Sequence, residues 1–206
     1  MLTVACVYKP GGGFSDDYVY RLRDGVKQHC QAEHNFVCLT SQRLKSVETI
    51  PLAQDWIGWW NKLQLFKKDQ FSGPVVYFDL DTMIVGDITD IVSKPQEFAV
   101  LSDFYGKHRI NSGVMAWNAD KDWSALYELF DASRVPEYSQ SMEKWGDQGW
   151  IENNLLEPPA RLQDQFPGKI VSYKADIRKQ NAVPEGAAIV CFHGKPRPHQ
   201  IGWRLP

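Results

Sequence analysis

Short apolar runs alternate with amphipathic segments along this chain, and this alternation is the strongest constraint on its fold. Strand-like runs cover residues 3–8, 35–40, 75–80, 97–101, 111–118, 168–174 and 187–194. Segments with helical character lie between them, at residues 16–30, 56–67, 88–92, 123–132 and 145–156. Strands that alternate with helices are typical of a parallel sheet covered by helices. We therefore predict an α/β fold with a mainly parallel sheet.

Composition narrows the class of protein. The chain has 206 residues, 43% of them hydrophobic, and a net charge of −2, which favours one globular domain over residues 1–206. No Lys/Arg run exceeds two residues, so we expect no broad nucleic-acid surface. No run is apolar enough to span a membrane, and the N-terminus lacks a basic leader, so we expect a cytoplasmic protein. We expect reduced, mostly buried thiols and no zinc, because no CxxC spacing joins Cys6, Cys30, Cys38 and Cys191.

Two carboxylates follow directly on the apolar run at residues 75–78. Asp79 and Asp81 stand two positions apart in an extended segment, so their side chains point to the same side. Such a pair repels itself unless a cation lies between the carboxylates, and a hard divalent ion suits oxygen ligands. In open α/β sheets, ligands bind at the carboxyl ends of strands, which is where this pair lies.

The Asp-x-Asp pattern alone is weak, because about one copy is expected by chance in a chain of this composition. A second copy, Asp120-Lys121-Asp122, precedes a helical segment. We interpret that copy as a helix cap, since Asp accepts hydrogen bonds from free backbone N–H groups there.

Other polar residues also follow strand-like runs. His193 comes after the last run, and a carboxylate–imidazole set suits Mn²⁺ at least as well as Mg²⁺. Gly194 permits a close backbone approach, and Lys195 could neutralise a leaving diphosphate. The alternative is a histidine that ends a strand and hydrogen-bonds locally. Tyr8 and Lys9 follow the first run, and position alone places them near a nucleoside.

Four segments resemble GT-A glycosyltransferases related to glycogenin and the bacterial lipopolysaccharide galactosyltransferases. They occur in the family's order, and they are "NKLQLFKKDQFSGPVVYFDLDTMIVGDITDIV", "INSGVMAWN", "GDQGWIENNL" and "FHGKPRP". The resemblance implies a Rossmann-like, three-layer α/β/α GT-A fold with a mixed, mainly parallel sheet. Residues 1–95 would bind the nucleotide, and residues 96–206 would bind the donor sugar and the acceptor. It also implies a metal-dependent hexosyltransferase that uses a UDP-linked sugar and retains anomeric configuration.

The resemblance also implies roles for individual residues. The metal, Mn²⁺ or alternatively Mg²⁺, would be bound by Asp79, Asp81 and His193. Nucleotide and diphosphate contacts would come from Tyr8, Lys9, Lys62, Asp79, Gly194 and Lys195. The donor sugar would meet Asp103, Asn111, Ser112, Asp147 and Gln148, the last two being the catalytic candidates at the anomeric centre.

Structural alternatives stand beside these roles. Lys62 could be a solvated helix residue, Asp147 a helix cap, and residues 111–113 a turn between strands. We expect Trp56, Trp59 and Trp60 to pack in the core and not to form a sugar-stacking platform. The terminal segment departs from the family pattern, because the gap from His193 to Lys195 is compressed. The acceptor stays open: a glycan, a protein side chain, a small molecule or a modified nucleobase.

Two other functions compete with a glycosyltransferase. A haloacid-dehalogenase phosphatase also carries Asp-x-Asp after a strand, but its motif normally ends the first strand, and Met83 stands where Thr or Val is expected. An inactive nucleotide-sugar-binding domain would share the fold, and fold does not decide function. All three proposed metal ligands are present, which favours an active enzyme.

Overall fold

Two sheets are built from the strands of the computed structural model, which describes residues 1–106, 108–140 and 145–203. The strands are β1 (Leu2–Tyr8), β2 (His34–Thr40), β3 (Glu48–Ile50), β4 (Pro74–Phe78), β5 (Thr82–Ile84), β6 (Phe98–Ser102), β7 (Ile110–Asn118), β8 (Ala160–Arg161), β9 (Ile170–Ser172) and β10 (Ile189–Cys191). The α-helices are α1 (Asp16–His29), α2 (Thr89–Ser93), α3 (Ala125–Glu128), α4 (Val135–Gln140), α5 (Gly146–Asn154) and α6 (Leu162–Gln165). Short 3₁₀ helices cover Gly58–Phe66, Ala132–Arg134 and Pro198–Ile201, and a π-helical turn covers Tyr173–Ile177.

The main sheet has the strand order β3-β2-β1-β4-β7-β6-β8. Its pairings are parallel except those of β7, which runs antiparallel to both β4 and β6. Its central strands are buried on both faces, as strands in a helix-covered parallel sheet are. One face packs on α1, and the other packs on Gly58–Phe66 and α5. These layers confirm the predicted α/β fold with a mainly parallel mixed sheet.

A second, three-stranded sheet has the order β5-β10-β9. The sequence predicted β9 and β10 as strands but gave no sign that they leave the main sheet. β10 runs antiparallel to β5, with Cys191 opposite Thr82. The end of β10 therefore lies beside the start of β5, one residue after Asp81, and the backbone N–H of Phe192 donates to Asp81 O at 3.3 Å.

Two helical predictions were partly wrong. The segment predicted at 56–67 is a 3₁₀ helix that starts at Gly58, and Trp59 on it is 58% exposed, so Trp59 is not a core residue. The segment predicted at 123–132 holds only the one-turn helix α3, because Asp131 accepts a hydrogen bond from Ser133 N and starts a new turn.

The predicted burial of the thiols is largely correct. All four cysteines are free, and three of them are buried while Cys30 is half-buried. Within the described ranges, no helix has both the length and the apolar character needed to cross a membrane.

Candidate active site

The turn between β4 and β5 presents the two carboxylates of the first Asp-x-Asp copy. Asp79 N donates to Gly113 O at 2.8 Å, and Thr82 N donates back to Asp79 O at 3.0 Å. The first bond ties the turn to the neighbouring strand β7, and the second closes the turn itself. Asp79 and Asp81 are therefore fixed at the edge of the sheet where β4 ends.

Lys62 lies at the centre of a buried polar cluster. Its Nζ lies 3.1 Å from Asp79 Oδ1 and 2.7 Å from Asp147 Oδ2, and it donates to Ser112 Oγ at 2.9 Å. Ser112 Oγ in turn donates to Asp147 Oδ2 at 2.9 Å. Only 5% of the Lys62 side chain is exposed, so it is not a solvated helix residue. One lysine thus connects the end of β4, strand β7 and the start of α5.

The charges in this cluster shift one another's protonation. Burial acts to lower the pKa of Lys62, but the carboxylates of Asp147 and Asp79 outweigh it and hold that pKa above its usual range. Burial raises the pKa of Asp79 to about 6, and the charge of Asp81 adds to the rise while Lys62 opposes it. Tyr77 donates its hydroxyl to Asp79 Oδ1. Lys62 is thus a fixed cation, and Asp79 is a carboxylate whose pKa of about 6 lies close to neutral pH.

Strand β7 approaches Asp79 closely because of a glycine. A Cβ atom at Gly113 would lie 2.9 Å from Asn111 Oδ1 and 3.4 Å from Asp79 Oδ2. Gly113 N donates to Asn111 Oδ1 at 2.9 Å, which fixes the Asn111 carboxamide. Residues 111–113 belong to β7 and are not a turn between strands. Asn111 and Ser112 are therefore held at the sheet edge by regular strand structure.

Helix α5 begins with a left-handed turn that directs its first carboxylate inward. Trp145 has φ +46° and Gly146 has φ +69°. Asp147 and Gln148 follow and are buried. Trp145, the N-cap residue, makes no side-chain cap hydrogen bond, and Asp147 engages Lys62 and Ser112. The helix-cap alternative for Asp147 is therefore excluded.

The segment after β10 packs against Asp81. Gly194 N donates to Asp81 Oδ2 at 3.0 Å, and both His193 (φ +37°) and Gly194 (φ +102°) adopt left-handed backbone conformations. The His193 ring stacks on Phe104 at 5.1 Å between centroids, and its Nε2 shares a 2.6 Å hydrogen bond with Ser172 Oγ. Burial, followed by the charge of a nearby lysine, lowers the pKa of His193 to about 4. The ring is therefore neutral at physiological pH, as a metal ligand must be.

The candidate metal ligands are the carboxylates of Asp79 and Asp81 and the imidazole of His193. The described part of the chain holds no group of three His, Cys, Asp or Glu side chains already arranged for a metal. The donor chemistry nevertheless fits a hard divalent cation, since burial raises the pKa of both Asp79 and Asp81 and a cation between them would relieve that cost. The ligand set Asp79, Asp81 and His193 stays a prediction.

Tyr8, Lys9, Asp103 and Lys195 are not among the side chains that Lys62 joins. Lys9 pairs with Asp55, and Tyr8 is buried in the core at the end of β1. Asp103 closes the turn between β6 and β7, accepting from Tyr105 N at 2.9 Å and Gly106 N at 2.7 Å. Lys195 is exposed. Their roles as ligand contacts stay predictions.

A lysine that sequence reasoning missed stands beside His193. Lys174 Nζ donates to His193 O at 2.9 Å and lies 3.7 Å from where a Cβ of Gly194 would be. Burial lowers the pKa of Lys174, against the opposing charge of Asp81. Lys174 lies two residues after β9. A polar residue that follows an apolar strand is the same signal that identified Asp79, and this signal could have identified Lys174 as well. Ser172, at the end of the same strand, was missed for the same reason.

The second Asp-x-Asp copy has a purely structural role. Asp120 Oδ1 accepts from Gly73 N at 2.8 Å, and Asp122 Oδ1 accepts from Ser124 N at 2.9 Å ahead of α3. Lys121 pairs with Glu97. Asp122 thus stabilises the turn ahead of α3, but the N-cap residue Ser124 has no side-chain cap hydrogen bond, and Asp120 binds the backbone of a neighbouring loop.

Comparison with known proteins identifies the fold. No protein-family model matches this chain, and no curated protein sequence matches it. Among solved structures, it is similar to the glycosyltransferase GlyE of Streptococcus pneumoniae TIGR4 (TM-score 0.64, 14% identity, 95% of this chain and 55% of GlyE). It is also similar to the galactosyltransferase LgtC (0.64, 13%, 95% and 88%) and to the bifunctional glycosyltransferase WbbM (0.62, 13%, 96% and 46%). The chain thus spans about half the length of GlyE and WbbM. It has the GT-A-like glycosyltransferase fold and resembles the lipopolysaccharide galactosyltransferases in structure.

Proposed function

We propose that this chain is a metal-dependent glycosyltransferase that moves a hexose from a UDP-linked donor to an acceptor with retention of anomeric configuration. The observation that carries the proposal is the buried Lys62 cluster. In this cluster, Lys62 contacts Asp79, which we assign to the diphosphate side of the donor. The same lysine contacts Ser112 and Asp147, which we assign to the sugar side. Three segments far apart in sequence thus supply the groups that a nucleotide-sugar transferase needs in one place.

Asp79, Asp81 and His193 would hold the divalent cation, Mn²⁺ or Mg²⁺. When bound, the metal supplies positive charge that stabilises the departing diphosphate. The chain adds its own groups on the same side. Lys174 brings an ammonium group next to Gly194, and Lys195 follows one residue later. Fixed cations and N–H groups that face developing negative charge lower the barrier because they need no reorganisation.

Asp147 would face the anomeric carbon. Its carboxylate is held by Lys62 and by the Ser112 hydroxyl, so its position is fixed before the donor binds. A carboxylate there stabilises the positive charge that develops on the sugar ring as the bond to the diphosphate breaks. Gln148, the next residue, would bind a sugar hydroxyl.

The chemical step is then a front-face displacement. The acceptor hydroxyl oxygen forms the new bond to the anomeric carbon as the diphosphate oxygen leaves with the bonding electrons. The hydroxyl proton passes to that departing oxygen. Capture of a covalent sugar on Asp147 would overturn this mechanism, and an inverted product would overturn retention.

A structural neighbour supports the pairing of donor and acceptor. LgtC, of which this chain covers 88%, was solved in complex with donor and acceptor sugar analogs. The matched region therefore includes most of a protein that binds both kinds of ligand. This supports a donor site and an acceptor site on the present chain.

A thermal-shift panel tests the proposal. Nucleoside diphosphates and nucleotide sugars are each tested with Mn²⁺, Mg²⁺ or EDTA, on the natural chain, on Asp81→Ala and on Asp120→Ala. A ligand at about 100 times its Kd stabilises the folded state by ~2.7 kcal/mol. We expect UDP or a UDP-sugar to stabilise the natural chain only with the metal. Asp81→Ala should lose the shift, and Asp120→Ala should keep it after at most ~1 kcal/mol of general destabilisation.

Three results would contradict the proposal. These results are the absence of a shift with every nucleotide and either metal, a shift that survives in Asp81→Ala, and a shift that vanishes in Asp120→Ala. Stabilisation by Mg²⁺ alone, without any nucleotide effect, would instead favour the phosphatase.

A further inference from the structure

The exposed aromatic side chains of this protein all lie beside the candidate active site. Every Phe, Trp and Tyr of the chain belongs to the described residues, and all but three of them are buried or half-buried. The exceptions are Trp59 (58% exposed), Tyr105 (70%) and Trp145 (42%). Large apolar side chains clustered on a surface mark an interaction site, whereas isolated ones are ordinary.

The two indoles among these three side chains flank the start of α5. A Cβ atom at Gly146 would lie 3.2 Å from Trp59 Nε1, so the Trp59 ring covers that glycine. Trp145 directly precedes Gly146, and Asp147 directly follows it. Trp145 is therefore two residues from the carboxylate assigned to the anomeric carbon, and Trp59 covers the glycine next to that carboxylate.

The third ring continues this edge towards the other side of the site. Tyr105 lies 5.8 Å from the His193 ring, nearly perpendicular to it. Arg109, in the same loop between β6 and β7, donates its N–H to Gly106 O at 2.8 Å and places its guanidinium 5.2 Å from the Trp145 ring centre. The loop therefore connects Tyr105 to Trp145, and the aromatic edge runs from α5 to His193.

The backbone at Trp145 supports a functional role for this edge. Trp145 adopts φ +46° and ψ +43°, a left-handed conformation that a bulky side chain disfavours. Trp145 is 42% exposed, so burial in the core does not account for an aromatic residue there. Strained residues of this kind are retained chiefly where they position a group for function.

We propose that Trp59, Trp145 and Tyr105 form the acceptor-binding site and that the acceptor is a glycan. Flat aromatic rings pack against the C–H faces of pyranose rings, while the polar Arg109 beside them can bind sugar hydroxyls. A nucleobase also stacks on aromatic rings, but in a nucleic acid it brings phosphates. The chain has net charge −2 and no basic run to receive them. This inference rests on the proposed function, because it assigns the second substrate of that reaction.

Saturation-transfer NMR tests the inference without requiring turnover. The saccharide panel contains the methyl α- and β-glycosides of glucose and galactose, with lactose, maltose and cellobiose. Each is added to the protein with UDP and Mg²⁺, which avoids the paramagnetism of Mn²⁺. We expect at least one saccharide to receive saturation, most strongly at its ring C–H protons. Trp59→Ala, Trp145→Ala and Tyr105→Ala should each raise its Kd by about tenfold, the size of one lost aromatic contact.

The matched control is Leu156→Ala, which removes a fully exposed apolar side chain just past the opposite end of α5. It should leave the saccharide Kd unchanged. Calorimetric titration with UDP on every variant verifies that the fold and the donor site are intact. A saccharide Kd that the three aromatic variants leave unchanged, or no saccharide binding while UDP binds normally, would overturn the glycan site. Saccharide binding at these residues without any UDP binding would keep the glycan site and overturn the proposed function.

Discussion

Replacement of Lys62 by methionine tests the central cluster most directly. Lys62→Met keeps the length of the side chain and removes its charge. It removes the cation that pairs with the Asp147 carboxylate, which is 10% exposed and keeps the Ser112 hydroxyl, and it removes the same cation 3.1 Å from Asp79. Loss of one partner from a buried ion pair costs about 3–5 kcal/mol. That is a large share of the roughly 5–15 kcal/mol that holds a typical domain folded.

The loss of folding stability in Lys62→Met should depend on pH, and the pKa of Asp79 determines the direction of that dependence. The pKa of Asp79 is about 6 in the folded chain against an ordinary value of 3.8, and Lys62 is among the groups that hold it down. A carboxylate with a raised folded pKa binds protons better in the folded state, so its contribution to stability falls as pH rises from the unfolded value through the folded one. Lys62→Met raises that pKa further. Its destabilisation should therefore be greater at neutral pH than near pH 4 to 5.

Urea unfolding followed by tryptophan fluorescence measures the effect. Midpoints are compared at about pH 7.5 and about pH 5 for the natural chain, Lys62→Met, Lys62→Met/Asp147→Asn and Lys68→Met. The double variant should recover part of the loss, because its buried carboxylate is gone. Lys68 is exposed, so its substitution should stay within about 0.5 kcal/mol. A Lys62→Met loss below about 1 kcal/mol at neutral pH, or an equal loss at both pH values, would refute the ion-pair argument.

Three further predictions concern the ligand side of the site. Gly113→Ala places a Cβ 2.9 Å from Asn111 Oδ1. Calorimetry should show UDP binding weakened about tenfold in the presence of metal. The control Gly12→Ala, whose Cβ makes only an ordinary van der Waals contact, should bind UDP as the natural chain does. The His193 ring, with a pKa of about 4, should show no NMR titration between about pH 5 and pH 8 in the metal-free protein, and a midpoint near its ordinary 6.5 would contradict the burial argument. Metal-dependent UDP binding should weaken as pH falls below about 6, because Asp79 must lose its proton to bind a cation. Affinity that is constant from pH 7 to pH 5 would exclude Asp79 as a ligand.

The elements that sequence analysis predicted well are those with a local signal. Strand β4 is a run of apolar residues that is buried on both faces, and its end at Asp79 is marked by a change to charge. The prediction that Lys62, Ser112 and Asp147 share one site rested on a family resemblance, and the structure brings those three side chains into contact. Periodicity alone would not have joined them, because they lie on a 3₁₀ helix, a strand and an α-helix far apart in the chain.

The features that were missed depend on long-range pairing. Strand β10 is as apolar as a main-sheet strand, and only its register against β5 reveals that it belongs to a second sheet. That register, and the neighbouring parallel strand β9, bring Lys174 to His193 while Lys195 stays exposed. The exposure of Trp59 was missed because the segment was predicted from an α-helical pattern. The segment is a 3₁₀ helix, which has fewer residues per turn, so side chains at the same spacing point in different directions.

The buried cluster also bears on the inactive-domain alternative. Apolar residues of similar volume can replace a buried ion pair without loss of stability and often with a gain, so stability alone gives no reason to keep Lys62, Asp79 and Asp147 together. A domain that needs only its fold could fill this space with leucine and methionine, as the rest of its core does. What the cluster provides is two ionisable carboxylates at fixed positions on either side of one cation. That arrangement is useful to a site that binds charged ligands, and turnover assays on the Lys62 and Asp147 variants would separate the proposed transferase from a binding domain that has lost its chemistry.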